Sequence, residues 1–184
     1  LIVGYALSQS LVINEVMSLN NSVLHDADND YPDWIELYNP GPSLALGGYS
    51  LSDAQENLDK WTFPNIDLPS GGFLLIFASD KDRKTPNDLH TNFRITSRGE
   101  TLFLSNPQGM IVDSLTVPPL AVDISYGRSP DGSETWALFN KPTPGAGNTT
   151  ESATGYSSQP SFSQIGGFYA APQSIELNAS SVDE

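Results

Sequence analysis

Short apolar runs recur along this chain between turn residues, and no stretch from residue 11 to 148 keeps the i, i+3, i+4, i+7 apolar spacing of an amphipathic helix. The nine runs are "LVINEVM", "DWIELYN", "YSLSD", "KWTFP", "GFLLIFAS", "TLFLSN", "MIVDSLTV", "ISYGRS" and "TWALF". Each is rich in Val, Ile, Leu or aromatic residues, which suit a pleated, half-buried surface. Between them 15 Gly and 14 Pro punctuate the chain, with turn signals such as "PSGG" (69–72), "NPQG" (106–109) and "SPDG" (129–132). This spacing predicts an all-β chain folded as a two-sheet sandwich, with helices nearly absent.

Individual runs carry further expectations. "FLLIF" (73–77) is apolar on both faces and reads as a central strand covered on both sides. Trp61 with Phe63, Leu102 with Leu104 and Trp136 with Leu138 each share one strand face, so each pair is expected to point into the same interior. From Ser79 to Gly99 the chain turns polar and gathers five of its eight basic residues, Lys81, Arg83, Lys84, Arg94 and Arg98. That segment reads as a long solvated loop with a short strand at "NFRI".

Length and charge narrow the function. A chain of 184 residues accommodates one ordinary domain plus a remainder. A formal charge of −14, from 22 acidic and 8 basic residues, argues against nucleic acid or an anionic lipid surface as partner, because both need clustered Lys and Arg. Without cysteine there is neither a disulfide framework nor a thiolate metal site. The opening "LIVGYALSQS" (1–10) reads as the remnant of an export signal or as an extra strand, and no other segment is long and apolar enough to span a membrane. Residues 11–148 read as one domain; from Pro142 the chain turns rich in Pro, Gly, Ser and Thr with little apolar surface, and 149–159 reads as a linker. Residues 160–184 resume strand-like alternation but are too few to fold alone, so they read as the truncated start of a second β-sandwich module.

Two groups of carboxylates stand out. In "HDADNDYPDWIELYNPG" the spacing of Asp26, Asp28 and Asp30 matches positions 1, 3 and 5 of a calcium loop. Tyr31 then stands where an EF-hand needs Gly, and Leu37 where it needs Glu, so an EF-hand is excluded. A looser calcium site and a solvated acidic loop both remain. The second group is Glu15 and Glu36. By strand alternation Glu15 shares a face with Leu11, Ile13 and Met17, and Glu36 with Trp34 and Tyr38. A carboxylate on such a face rises in pKa or finds a cation or backbone donors. Two such groups on neighbouring strands meet the minimum of a glycosidase, but that chemistry needs a cleft that a sandwich of short loops rarely provides. The structural reading pairs one of them with Arg128.

The only histidines, His25 and His90, have no third His and no Cys beside them, which makes a tetrahedral zinc site improbable. His90 reads as a loop-anchoring hydrogen bonder. The chain carries no "GxSxG" elbow and no phosphate loop.

Taken in order, "LVINEVM", "DYPDWIELYNPG", "YSLSD", "KWTFP", "SGGFLLIFAS", "LHTNF", "GETLFLSNPQG" and "SYGRSPDG", followed by "PTPGAGN", resemble the lamin tail domain as it occurs in exported bacterial proteins, over roughly residues 11 to 148. The resemblance implies an immunoglobulin-like β-sandwich. The tail "PSFSQIGGFYAAPQSIELNAS" resembles the opening of the small module named after the C-terminal domain of chitobiase and β-hexosaminidase. Together they imply a long, exported, modular parent protein, in which such modules commonly precede larger domains such as a kinase-like domain similar to spore coat protein H. The expected place is extracellular or in the cell envelope. The expected function is a non-catalytic spacer or adhesive module, without a cofactor, whose partners are other domains of the parent, envelope protein or carbohydrate. The alternative is a carbohydrate-binding module that uses calcium on Asp26, Asp28 and Asp30, with Tyr31 stacking on sugar. Residues 1–7 and the strands after Pro160 are expected to pair with an edge of this or a neighbouring copy.

Overall fold

The computed structural model describes residues 11–157 and 160–178. The proposed signal remnant or extra strand at 1–10, and with it the expected edge pairing of residues 1–7, lies outside them. Among the described residues every regular element is a strand: β1 (Val12–Met17), β2 (Asp33–Tyr38), β3 (Leu44–Ala45), β4 (Ser50–Ser52), β5 (Trp61–Thr62), β6 (Asp67–Leu68), β7 (Phe73–Ala78), β8 (Lys84–Thr85), β9 (Asp88–Leu89), β10 (Glu100–Ser105), β11 (Ile111–Val117), β12 (Ser125–Arg128), β13 (Trp136–Phe139), β14 (Ser152–Ala153), β15 (Ser161–Phe162) and β16 (Leu177–Asn178). All nine apolar runs are strands. No described helix is long and apolar enough to cross a membrane.

One sheet has the order β14-β13-β12-β1-β2-β7 and the other β11-β10-β4-β5. Ile13, Val16, Ile35, Leu37, Ile76 and Leu138 of the first pack with Leu51, Trp61, Leu102, Leu104, Leu115 and Val117 of the second in one buried cluster. Trp61, Phe63, Leu102, Leu104 and Leu138 are buried there, and half-buried Trp136 packs on its margin. The result is an immunoglobulin-like β-sandwich, an arrangement in which alternating inward faces of two antiparallel sheets share a core.

Three expectations change. "FLLIF" is not central: β7 ends its sheet, paired along its length only with β2. It is apolar on both faces because Ile76 enters the main core while Phe77 joins Met17 and Trp34 in a second cluster on the sheet's outer side. The segment 79–99 is not simply solvated. Leu89, Phe93 and Ile95 enter the main core, His90 and Thr91 are fully buried, and β8 and β9 form a small hairpin. Its basic side chains stay at the surface while apolar residues between them hold it down. Finally, Glu15 does not share a face with Ile13. The β1–β2 register pairs Ile13 with Leu37 and then Glu15 with Glu36, so Asn14 is an extra residue in a bulge. Ile13 and Val16 therefore face the core, whereas Glu15 and Met17 face outward.

The chain divides into compact units at Leu1–Ser152 and Ala153–Glu184. In the second, β15 pairs with β16, Ser161 opposite Asn178 and Phe162 opposite Leu177. Within this unit the two strands pair with each other.

Candidate functional site

The outer face of the first sheet holds a closed polar network. Glu15 and Glu36 are directly opposite across β1 and β2, and both side chains are fully buried. The segment "PTPGAGN" (142–148) crosses over them as a strap. The Thr143 N–H lies 3.3 Å from both oxygens of Glu15, the Thr143 hydroxyl donates to Oε2 at 3.2 Å, and the Ser125 hydroxyl donates to Oε1. The Gly145 N–H donates to Glu36 Oε2 at 2.6 Å, and the Asn14 amide to Oε1 at 3.2 Å. Asn14 and the Asn148 N–H also donate to Asp131 Oδ1, each at 2.9 Å. Asn148 Nδ2 in turn donates to the carbonyls of Asn14 and Arg128, at 3.3 and 2.9 Å. The strap's own backbone thus supplies donors that water would otherwise provide.

Burial dominates the electrostatics of the pair. Desolvation pushes the Glu36 carboxyl up to about 8, against the Asn14 and Gly145 hydrogen bonds, and the charges of Glu15 and Asp131 add to the rise. Glu15 is raised as well, by burial first, against its bonds from Ser125 and Thr143. Both carboxyls therefore keep their protons to higher pH than an exposed glutamate does.

Arg128 is buried nearby but pairs with neither glutamate. Its Nη2 reaches Asp113 Oδ1 and Oδ2 at 3.1 and 3.0 Å, and its Nε donates to the Ile13 carbonyl at 2.8 Å. The guanidinium also lies 4.6 Å from the centre of the Trp136 ring. The bulge explains the difference: it turns Glu15 outward, whereas Asp113 of β11 also accepts from the Ile13 N–H at 2.7 Å and so meets Arg128 at the sheet junction.

The acidic loop converges on a side chain. Carboxylate oxygens of Asp26, Asp28 and Asp30 lie within 4.8 Å of one another. The Lys81 ammonium sits among them, at 2.5, 2.7 and 2.8 Å respectively. Asp26 Oδ1 also accepts from the N–H groups of Asp28 and Asp30, at 2.9 and 3.0 Å, an Asx-type turn that closes the loop. Lys81 and Arg83 hold Asp28 down to about 2. Burial raises Asp26, but Lys81 and the two N–H donors bring it below the usual carboxylate range. Sequence reasoning marked these aspartates and counted Lys81 among the basic residues of the 79–99 loop, but with about fifty residues between them nothing local joined the two.

His90 is fully buried at the floor of the 79–99 segment. Its Nε2–H donates to Asp88 Oδ1 at 3.0 Å, and the Ser79 hydroxyl lies 2.7 Å from Nδ1. The ring stacks on Phe77 at 5.1 Å, and the His90 and Arg83 backbones exchange hydrogen bonds. Asn14, Asp131, Thr143 and Asn148 went unmarked in the sequence. "SPDG" and "PTPGAGN" read as turn and linker, and only the fold reveals that they close over β1 and β2.

No curated protein matches this chain. A family model described as Lamin Tail Domain matches residues 6–118, more than half of the chain. The match spans β1 to β11, with strands of both sheets and the acidic loop, so the chain belongs to the lamin tail domain family.

Proposed function

We propose that the sandwich is a non-catalytic module of an exported, multidomain protein, where it spaces its neighbours and presents a surface for attachment. The observation that carries this reading is the closed state of Glu15 and Glu36. Both are fully buried beneath the 142–148 strap, and each carboxylate accepts hydrogen bonds from the strap's backbone. A catalytic pair needs a cleft into which substrate and water enter. Export, and a second module like that of chitobiase and β-hexosaminidase beginning near Pro160, rest on the resemblances of "LIVGYALSQS" and of the tail.

The test replaces residues 11–148 in the full-length protein with an unrelated immunoglobulin-like sandwich and measures both attachment of the producing cells and the parent's enzymatic activities. The expected result is weakened attachment with activity unchanged. An activity that disappears with the swap, and also with Glu15→Gln in the native sandwich, overturns the reading.

The convergence of Asp26, Asp28 and Asp30 favours a second reading, a calcium-dependent carbohydrate-binding module. Calcium would have to displace the Lys81 ammonium that now neutralises the three carboxylates. Melting with calcium and with chelator decides it, since an ion that binds the folded state raises Tm.

A further inference from the structure

Beside the acidic loop, at the end of β2 and β7, lies a groove of about 370 Å³ lined by Asp30, Tyr31, Pro32, Asp33, Ala78, Ser79, Lys81 and Arg94. That volume falls in the usual range of small-molecule sites. Its polar groups are not equivalent. Lys81 is already saturated by three carboxylates. Arg94 is exposed and makes no ion pair or side-chain hydrogen bond among the described residues. Asp33 is half-buried, and among the described residues its carboxylate accepts a single hydrogen bond, a long one, 3.4 Å from the Asn20 N–H to Oδ1. Asp33 and Arg94 thus bring a carboxylate and a guanidinium to the same groove without bonding each other. Tyr31, 44% exposed, and Pro32 supply an apolar wall next to them.

We propose that this groove binds one neutral sugar ring of a glycan, with Tyr31 against the ring's C–H face and Asp33 and Arg94 hydrogen-bonding its hydroxyls. The proposal deepens the attachment role above and rests on it. Hydroxyl groups both donate and accept, so a polyol satisfies the carboxylate and the guanidinium together. An anionic ligand would meet Asp30 and Asp33 in a chain of net charge −14, and a cationic one would meet Arg94. The frame is rigid. A β-bridge joins Ser79 to Arg94, the Asp80 N–H donates to the Phe93 carbonyl at 3.2 Å, and the Ser79 hydroxyl is held against buried His90. Lys81 fixes the opposite wall by gripping the acidic loop, so the site needs no metal.

Affinity electrophoresis of the whole chain through gels containing glucan, xylan, mannan or galactan tests this, with polygalacturonate as the anionic control and each gel run with and without chelator. At least one neutral polymer is expected to retard the protein equally in both conditions. Tyr31→Ala and Arg94→Ala should each weaken the retardation about tenfold or more, the loss of one good contact, and Glu56→Ala, an exposed residue outside the groove, should not change it. Retardation by no neutral polymer, by polygalacturonate alone, only without chelator, or undiminished in both groove variants overturns the proposal. Weakened attachment in the sandwich swap together with any of those results would leave the attachment role standing, whereas a swap that changes nothing would remove both.

Discussion

Glu36→Gln should flatten the pH dependence of stability on the alkaline side of the acidic range. In the folded chain burial places the Glu36 carboxyl at about 8, against the ordinary 4.5 that an unfolded chain allows. The folded state therefore binds a proton more tightly, and its contribution to stability is complete below the unfolded value and lost as pH rises toward 8. One proton corresponds to about 1.4 kcal/mol per pH unit, hence to about 3 kcal/mol between about pH 5 and pH 7. Asp33, raised to about 6 by burial, adds loss of the same sign over the lower part of this window. The assay is urea unfolding at a series of pH values, and the wild type alone supplies the first readout: its stability should fall across that window. The variant replaces an ionisable group that accepts from Asn14 and Gly145 with an amide of equal shape, so its profile should lose a slope of about one proton. Wild-type stability that is level or rises between about pH 5 and pH 7 would refute the reasoning. So would an unchanged slope in a folded variant.

Other perturbations test other parts of the molecule. At Gly127 a Cβ would stand 2.6 Å from Asn148 Nδ2 and 3.1 Å from both Glu15 Cγ and Phe139 Cε2, so Gly127→Ala should cost about 1–3 kcal/mol in chemical unfolding. Asn148→Ala removes the amide that ties the strap to the Asn14 and Arg128 carbonyls, and should cost about 1–3 kcal/mol. Arg128→Met leaves Asp113 partly buried without its cation and should cost about 3 kcal/mol or more, read as a lowered urea midpoint at neutral pH. Lys81→Ala should destabilise the acidic loop, visible as faster backbone exchange at the Asp28 and Asp30 amides, because three carboxylates then face one another without their shared cation.

What was legible in the sequence was local. Each apolar run formed its strand because β-branched and aromatic residues bounded by Gly and Pro have few other ways to bury one face. Glu15 and Glu36 stood out because a carboxylate within such a run must answer for its burial. Their partners were not legible. Asn14 adds one residue to β1 and turns Glu15 to the outer face, a change no alternation rule anticipates. Arg128 then meets Asp113, whose place in "MIVDSLTV" gives no sign that it joins the sheets. The 79–99 segment looked solvated because its charges mask Leu89, Phe93 and Ile95; "NFRI" read as a short strand, yet it forms only an isolated bridge at Arg94 while Phe93 and Ile95 enter the core. Lys81 and the acidic loop, like the strap and its glutamates, are brought together only by the closed fold.

The central claim is that Glu15 and Glu36 belong to a sealed structural network and not to a reactive cleft. Amide hydrogen exchange at Thr143 and Gly145, whose N–H groups cap the two carboxylates, tests it most directly. Protection approaching that of the Ile35 and Leu37 amides in β2 is the predicted result. Exchange as fast as that of exposed turns would mean that the strap stands open, and that the two carboxylates are free to meet a substrate.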